Sequence, residues 1–240
     1  MTDLRRILLL STSTVHGSGF LEYCRPTITG HFGGGGRILF IPFASPGGLP
    51  HAEYADLVSR AMKPAGLEVE SIHAAPDPIR AVRDADALFI GGGNTFLLLR
   101  DLYAYDLLGP IRQRVESGMP YMGSSAGSNV AGLTIGTTND MPIVHPPAFE
   151  ALALVPFNLN PHYLDPDPGS THMGETRETR IREFHVLNDQ PVIGLREGAW
   201  LEVADGRMTL GGNRGARLFR RGEAAEELAA GSDLSALLEG

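Results

Sequence analysis

The segment Gly123-Ser124-Ser125-Ala126-Gly127 has the form G-x-S-x-G. In that form a serine sits on a sharp turn between a strand and a helix, with its hydroxyl exposed for nucleophilic attack. The flanks agree, because Met119-Pro120-Tyr121-Met122 reads as a strand and residues 126–131 as the start of a helix. The turn needs glycines because a Cβ there would clash. A helix N-terminus below Ser125 leaves the N–H of Ala126 free for a developing oxyanion. The bland alternative is a glycine-padded turn with a buried serine.

A second glycine loop, Gly91-Gly92-Gly93-Asn94-Thr95, also follows an apolar run and opens a helical one. It is not a dinucleotide fingerprint, since Phe96 stands where G-x-G-x-x-G needs its last glycine. A phosphate cradle, a second oxyanion donor facing Ser125 (from Gly92 or Gly93) and a plain tight turn remain. The oxyanion role fits best, because acyl transfer needs two N–H groups at one point in space. A serine nucleophile also needs a base. Of the eight histidines, His162 in Leu159-Asn160-Pro161-His162-Tyr163 stands out, at an expected strand end on a proline-stiffened turn. His16, His31, His51 and His73 have no acidic or motif partner and read as surface or packing residues. Asp165, Asp167 and His172 permit a metal reading, but Asp165-Pro166-Asp167-Pro168-Gly169 looks more like a loop than a ligand cage.

These loops need a scaffold. Strand-length apolar runs at 6–11, 37–44, 67–73, 87–91 and 121–123 alternate with helical spacing at 51–63 and 94–117, the latter broken at Gly109-Pro110. Strands buried on both faces and alternating with helices predict right-handed βαβ units. The second half reads as a charged helix at 175–187 and short strands at 192–195, 199–204, 207–210 and 217–219. Asp205-Gly206 forms a hairpin turn, and a helical tail follows from Glu223. The expected fold is α/β, a doubly wound, mostly parallel sheet with helices on both faces and antiparallel edge strands, in one domain over residues 1–240. Ligands bind such sheets beyond the carboxyl ends of the strands.

Composition narrows the function. The 240 residues carry a net charge of −8, so no basic field exists to hold nucleic acid. One cysteine, Cys24, rules out an internal disulfide or a cysteine-based zinc site. No apolar run approaches the roughly 18 residues that cross a bilayer, and the four apolar residues after Arg6 are too few for a signal-peptide core. A cytoplasmic protein without membrane partners is expected.

Taken together the residues resemble the peptidase E (aspartyl dipeptidase) family of serine peptidases, built on a class I glutamine-amidotransferase-like sheet. The resemblance runs from Leu8-Leu9-Leu10-Ser11 to Leu210-Gly211-Gly212. It is most specific at 91–96, 123–129, Thr137-Thr138-Asn139-Asp140-Met141-Pro142-Ile143-Val144, Asn160-Pro161-His162, 174–183 and Glu197-Gly198-Ala199-Trp200. Ser124 stands where other members can carry tryptophan and His145 where some carry an acid, departures that bear on pocket shape.

The resemblance implies Ser125 as nucleophile, His162 as general base, and no metal or organic cofactor. Two carboxylates fall in matching segments as the acid that orients His162, Asp140 and Glu197, with Asp140 slightly favoured. The implied substrate is a small peptide with amino-terminal aspartate, whose carboxylate demands a fixed cation. Arginine's planar fork suits that task, and the resemblance gives it to Arg177, with Glu175 and Asn94 as further substrate-binding candidates. An exposed helix face is the competing account of 175–180. The alternatives are a cyanophycinase-like peptidase cutting β-Asp-Arg linkages and, from another class, a non-catalytic phosphate- or nucleotide-binding module. A cysteine amidotransferase has little support, with serine at the elbow. Monomer and homodimer both remain open.

Overall fold

The structure, a computed structural model, describes residues 3–45, 47, 49–169, 171 and 173–239. The first half contains β1 (Ile7–Leu10), α1 (Arg25–Phe32), β2 (Gly36–Ile41), α2 (His51–Met62), β3 (Leu67–Ser71), α3 (Pro78–Asp84) and β4 (Ala87–Ile90). Next come α4 (Thr95–Ala104), α5 (Leu108–Glu116), β5 (Tyr121–Ser124) and the one-turn α6 (Ala126–Asn129). The second half adds β6 (Asn158–Pro161), α7 (Arg177–Leu187), β7 (Val192–Leu195), β8 (Ala199–Ala204), β9 (Arg207–Gly212), β10 (Ala216–Phe219) and β11 (Glu226–Leu228).

The main sheet has the order β3-β2-β4-β5-β1-β8-β9. Its first five strands are parallel, and β8 and β9 add an antiparallel edge. Side chains alternate across a strand, and β1 shows the result. Ile7 and Leu9 enter one apolar cluster with Leu98 and Ile111, while Leu8 and Leu10 enter another with Ile28 and Val58. All four β1 side chains are fully buried, each contributing about 1.5–3 kcal/mol. The α/β architecture with helices on both faces is as expected. Beside it stands a second sheet, β11-β10-β7-β6, in which β6 and β7 are parallel.

Two local expectations are corrected. The helix after Gly93 breaks at 105–107, where Asp106 has φ 52°, and not at Gly109-Pro110. Pro110 instead lies in the first turn of α5, where a missing N–H leaves no helical bond unmade. The tail from Glu223 is not a helix. Its Glu226–Leu228 segment pairs with β10, and Ser235–Leu238 forms a single 3₁₀ turn. Pairing with an available edge outweighs the tail's helical composition. His31 is a packing residue, as expected. Its Nε2 lies 3.1 Å from the Tyr121 carbonyl, and burial lowers its pKa to about 4. Among the described residues, no helix is long and apolar enough to cross a membrane.

Candidate functional site

The carboxyl end of β1 organises the site. In register, Leu10 of β1 lies beside Ser124 of β5 and Trp200 of β8. The chain turns sharply after Ser124, and the Ser125 N–H donates to the Leu10 carbonyl at 3.1 Å. Ser125 adopts φ 52°, ψ −108°, a strained conformation for a residue with a Cβ. His162, directly after β6, is also at positive φ (54°). Its N–H donates to Ser11 Oγ at 3.0 Å, and that buried hydroxyl in turn donates to the Leu195 carbonyl at 2.8 Å. One strand end thus fixes both strained residues and ties the two sheets together. Sequence reasoning passed over Ser11, because a lone serine after an apolar run carries no motif.

Ser125 Oγ and His162 Nε2 are 2.9 Å apart, and His162 Nδ1 is 2.7 Å from Glu197 Oε1. A carboxylate can only accept, so Nδ1 carries the proton and Nε2 is left to accept from the serine hydroxyl. Such a line can take a proton from Ser125 and stabilise the resulting imidazolium.

The geometry places Glu197, and not the slightly favoured Asp140, beside His162. Asp140 Oδ2 accepts from Thr95 N (2.7 Å), Thr95 Oγ1 (2.6 Å) and Thr138 Oγ1 (3.2 Å), at the start of α4. Its neighbour Asn139 donates to the Pro161 carbonyl at 2.8 Å and accepts from Asn160 Nδ2 at 2.9 Å. The 137–141 segment therefore braces the turn that presents His162 without supplying its partner.

The oxyanion candidates separate. The N–H groups of Ala126 and Gly93 have no acceptor among the described residues. The N–H of Gly92 is already spent on the buried Tyr54 hydroxyl at 3.0 Å, so Gly92 is corrected from donor to wall. A Cβ on Gly92 would stand 3.2 Å from the Ser125 Cβ, which puts this loop directly against the serine. Gly93 takes φ +138°, and a Cβ there would lie 2.2 Å from the Ala44 carbonyl oxygen, so only glycine fits. Burial pushes the Tyr54 phenol up to about 12, so it stays a neutral clamp on the loop.

Arg177 is the first residue of α7, behind a Thr176 cap that accepts from Thr179 N at 3.1 Å. It is half-buried and forms no ion pair among the described residues. Desolvation and then Arg180 lower its pKa, with Asp140 acting in the opposite direction. A guanidinium always stays charged, so Arg177 offers a cation without an acidic partner among the described residues. It lines a groove of about 340 Å³ with Leu164, Asp165, Glu175 and Arg180. Glu175 is exposed and lies 3.7 Å from Arg180 Nε. Asn94 is committed to the scaffold: Oδ1 caps α4 through Leu97 N at 3.0 Å and Nδ2 holds the Met141 carbonyl at 2.8 Å. Asp165 is engaged by Arg196 through two contacts, 2.7 and 2.8 Å, and Asp167 accepts from Gly169 N. His172, the third residue of the metal reading, lies outside the described residues.

Comparison with known proteins now gives this geometry a setting. The chain is 55% identical over 233 residues to "Peptidase E" of Streptomyces coelicolor, covering 97% of this chain and 95% of that protein. It is 50% identical over 242 residues, and all of both chains, to the Drosophila melanogaster protein named "Probable alpha-aspartyl dipeptidase". The crystal structure of a peptidase from an acI-B1 Actinobacterium shares the fold, with a TM-score of 0.73, 17% identity and 96% of each chain covered. The model of peptidase family S51 matches residues 7–211, which spans Ser125, His162 and Glu197, and the chain belongs to that family.

Proposed function

We propose that the protein is a serine dipeptidase that hydrolyses Asp-X dipeptides through an acyl-enzyme on Ser125. The observation that carries this reading is the hydrogen-bonded line from Ser125 through His162 to Glu197. Names of relatives support the substrate class and favour neither a cyanophycinase-like activity nor a nucleotide-binding module.

Ser125 Oγ attacks the carbonyl carbon that follows the aspartate while His162 Nε2 takes its proton. The negative charge that forms on the carbonyl oxygen rests on the N–H groups of Ala126 and Gly93. His162 then protonates the departing amine, and water attacks the aspartyl ester with His162 again as base. Arg177 receives the aspartate side chain in its planar fork. These residues suffice for the reaction without a cofactor.

A panel of Asp-Leu, Asn-Leu and Glu-Leu tests the reading. Wild type should prefer Asp-Leu, and Arg177→Ala should lower kcat/KM for it by about 10²-fold, the equivalent of one charge-assisted pair. Undiminished Asp-Leu hydrolysis in that variant would remove Arg177 from the specificity site. For the orienting acid, Glu197→Gln should lower kcat by about 10²–10⁴-fold, since an amide can hold the wrong tautomer. Asp140→Asn should change kcat by less than about tenfold and lower Tm instead, by weakening hydrogen bonds worth about 1 kcal/mol each. Steady-state kinetics on both variants decide the matter, and a larger kcat loss in Asp140→Asn would reverse the assignment.

A further inference from the structure

A cavity of about 580 Å³ has Glu197 in its wall and shares no lining residue with the groove of Arg177. Its walls include Val15, His16, Tyr23, Glu197, Trp200 and Arg214. Strand order fixes its position relative to the serine. The sheet runs β4-β5-β1-β8-β9, and Ser125 follows β5. The Gly91–Gly93 loop follows β4, and Asp140 is bonded to the first residue of α4 just beyond it. Arg177 lines a separate groove with Leu164 and Glu175, none of whose residues enters the cavity. The cavity belongs to the other side, because Val15 follows β1, Trp200 lies in β8 and Arg214 follows β9. Neighbouring strands are about 4.8 Å apart and consecutive Cα atoms about 3.8 Å apart. A peptide lying across the strand ends, with its acyl residue toward Arg177, therefore carries its leaving residue toward the cavity. The relay has the same sense, since Glu197 is both the partner of His162 and part of the cavity wall.

The lining has a definite chemistry. Tyr23 and Trp200 pack with ring centroids 6.2 Å apart and form an aromatic wall. Arg214 has no acidic partner among the described residues, whereas Arg196, Arg207, Arg217, Arg220 and Arg221 are all paired. A Cβ on Gly198 would stand 3.6 Å from Arg214 Cγ, so the arginine packs against the residue that follows Glu197. An apolar wall with a free guanidinium beside it matches an amino acid that carries an apolar side chain and a free α-carboxylate.

We propose that this cavity is the subsite for the residue after the scissile bond, with the side chain against Tyr23 and Trp200 and the terminal carboxylate on Arg214. The proposal rests on the dipeptidase reading above and explains why a two-residue substrate is favoured: the cation rewards a chain that ends there.

The test compares Asp-Leu with Asp-leucinamide in wild type and Arg214→Ala, together with inhibition by free leucine. Wild type should prefer Asp-Leu by about tenfold or more, as expected for one charged hydrogen-bonded contact. Arg214→Ala should lose that preference mainly through KM for Asp-Leu, leave the amide within about twofold, and weaken leucine inhibition in parallel. Equal losses on both substrates, or no loss on either, would overturn the subsite while leaving the dipeptidase reading in place. Absence of Asp-X hydrolysis in wild type would overturn both. A thermal melt is the folding control, and Arg214→Gln replaces Arg214→Ala as the variant read if the alanine variant has a lowered Tm.

Discussion

Ser125→Ala is expected to lower kcat on Asp-Leu by at least about 10⁴-fold while leaving the fold unchanged. The hydroxyl's one bond among the described residues is to His162, so its removal takes away the nucleophile and little else. Backbone bonds keep the turn in place, with Ser125 N on Leu10 O and Asn129 N on Ser125 O at 2.9 Å. His162→Ala should cost about as much, and the double variant no more than either alone, because the two side chains act as one unit. The kinetics should be read beside a thermal melt. A variant that keeps a tenth of wild-type activity at an unchanged Tm would mean that another nucleophile carries the reaction.

Gly127→Ala should fail in a different way, through stability. An alanine Cβ there would lie 2.1 Å from the Ile90 carbonyl oxygen and 2.8 Å from the Ile90 carbonyl carbon. Both atoms belong to the backbone of β4, a central strand, so no side-chain rotation relieves the clash. Either β4 or the turn that carries Ser125 must move. Overpacking of this kind typically costs about 1–3 kcal/mol, occasionally more. For a chain of this length about 3 kcal/mol corresponds to a Tm lower by roughly 6–12 °C. Activity should fall with it, because Ala126 N and Ser125 Oγ share the displaced turn. Gly109→Ala is the matched control, since nothing lies within 4 Å of its Cβ position. An unchanged Tm in Gly127→Ala would show that β4 and α6 can separate freely.

The difference between these glycines explains how much the sequence could reveal. The turn at Ser125 was legible because strand, glycines and helix start are contiguous, and contiguous constraints survive in one dimension. His162 was legible for the same reason, through its proline and the apolar run before it. The proposed orienting acid, Glu197, was not. It depends on β6 and β7 lying parallel with Pro161 beside Leu195, which brings the residues just past both strands together. Nothing local to Glu197 announces that register, whereas Asp140 stands in a conspicuous polar motif whose work is to brace a turn. Tyr54 escaped notice likewise: its spacing on α2 marks a core residue, and only the fold aims its hydroxyl at Gly92. The tail misled for a physical reason too, because a segment rich in alanine and glutamate still pairs as a strand when a free edge is near.

The junction at Leu10 and Ser11 has a consequence for how activity can be lost. Because Leu10 O holds the Ser125 backbone and Ser11 Oγ holds the His162 backbone, the proposed nucleophile and base are anchored to two adjacent residues, the last of β1 and the one after it. That strand lies between β5 and β8 inside the larger sheet and is fully buried, so it belongs among the last parts of the molecule to open. Fraying of β3 or β9, the outer strands of the larger sheet, leaves these two anchors intact. Opening of this strand end releases both anchors at once, so at this point the loss of alignment is cooperative.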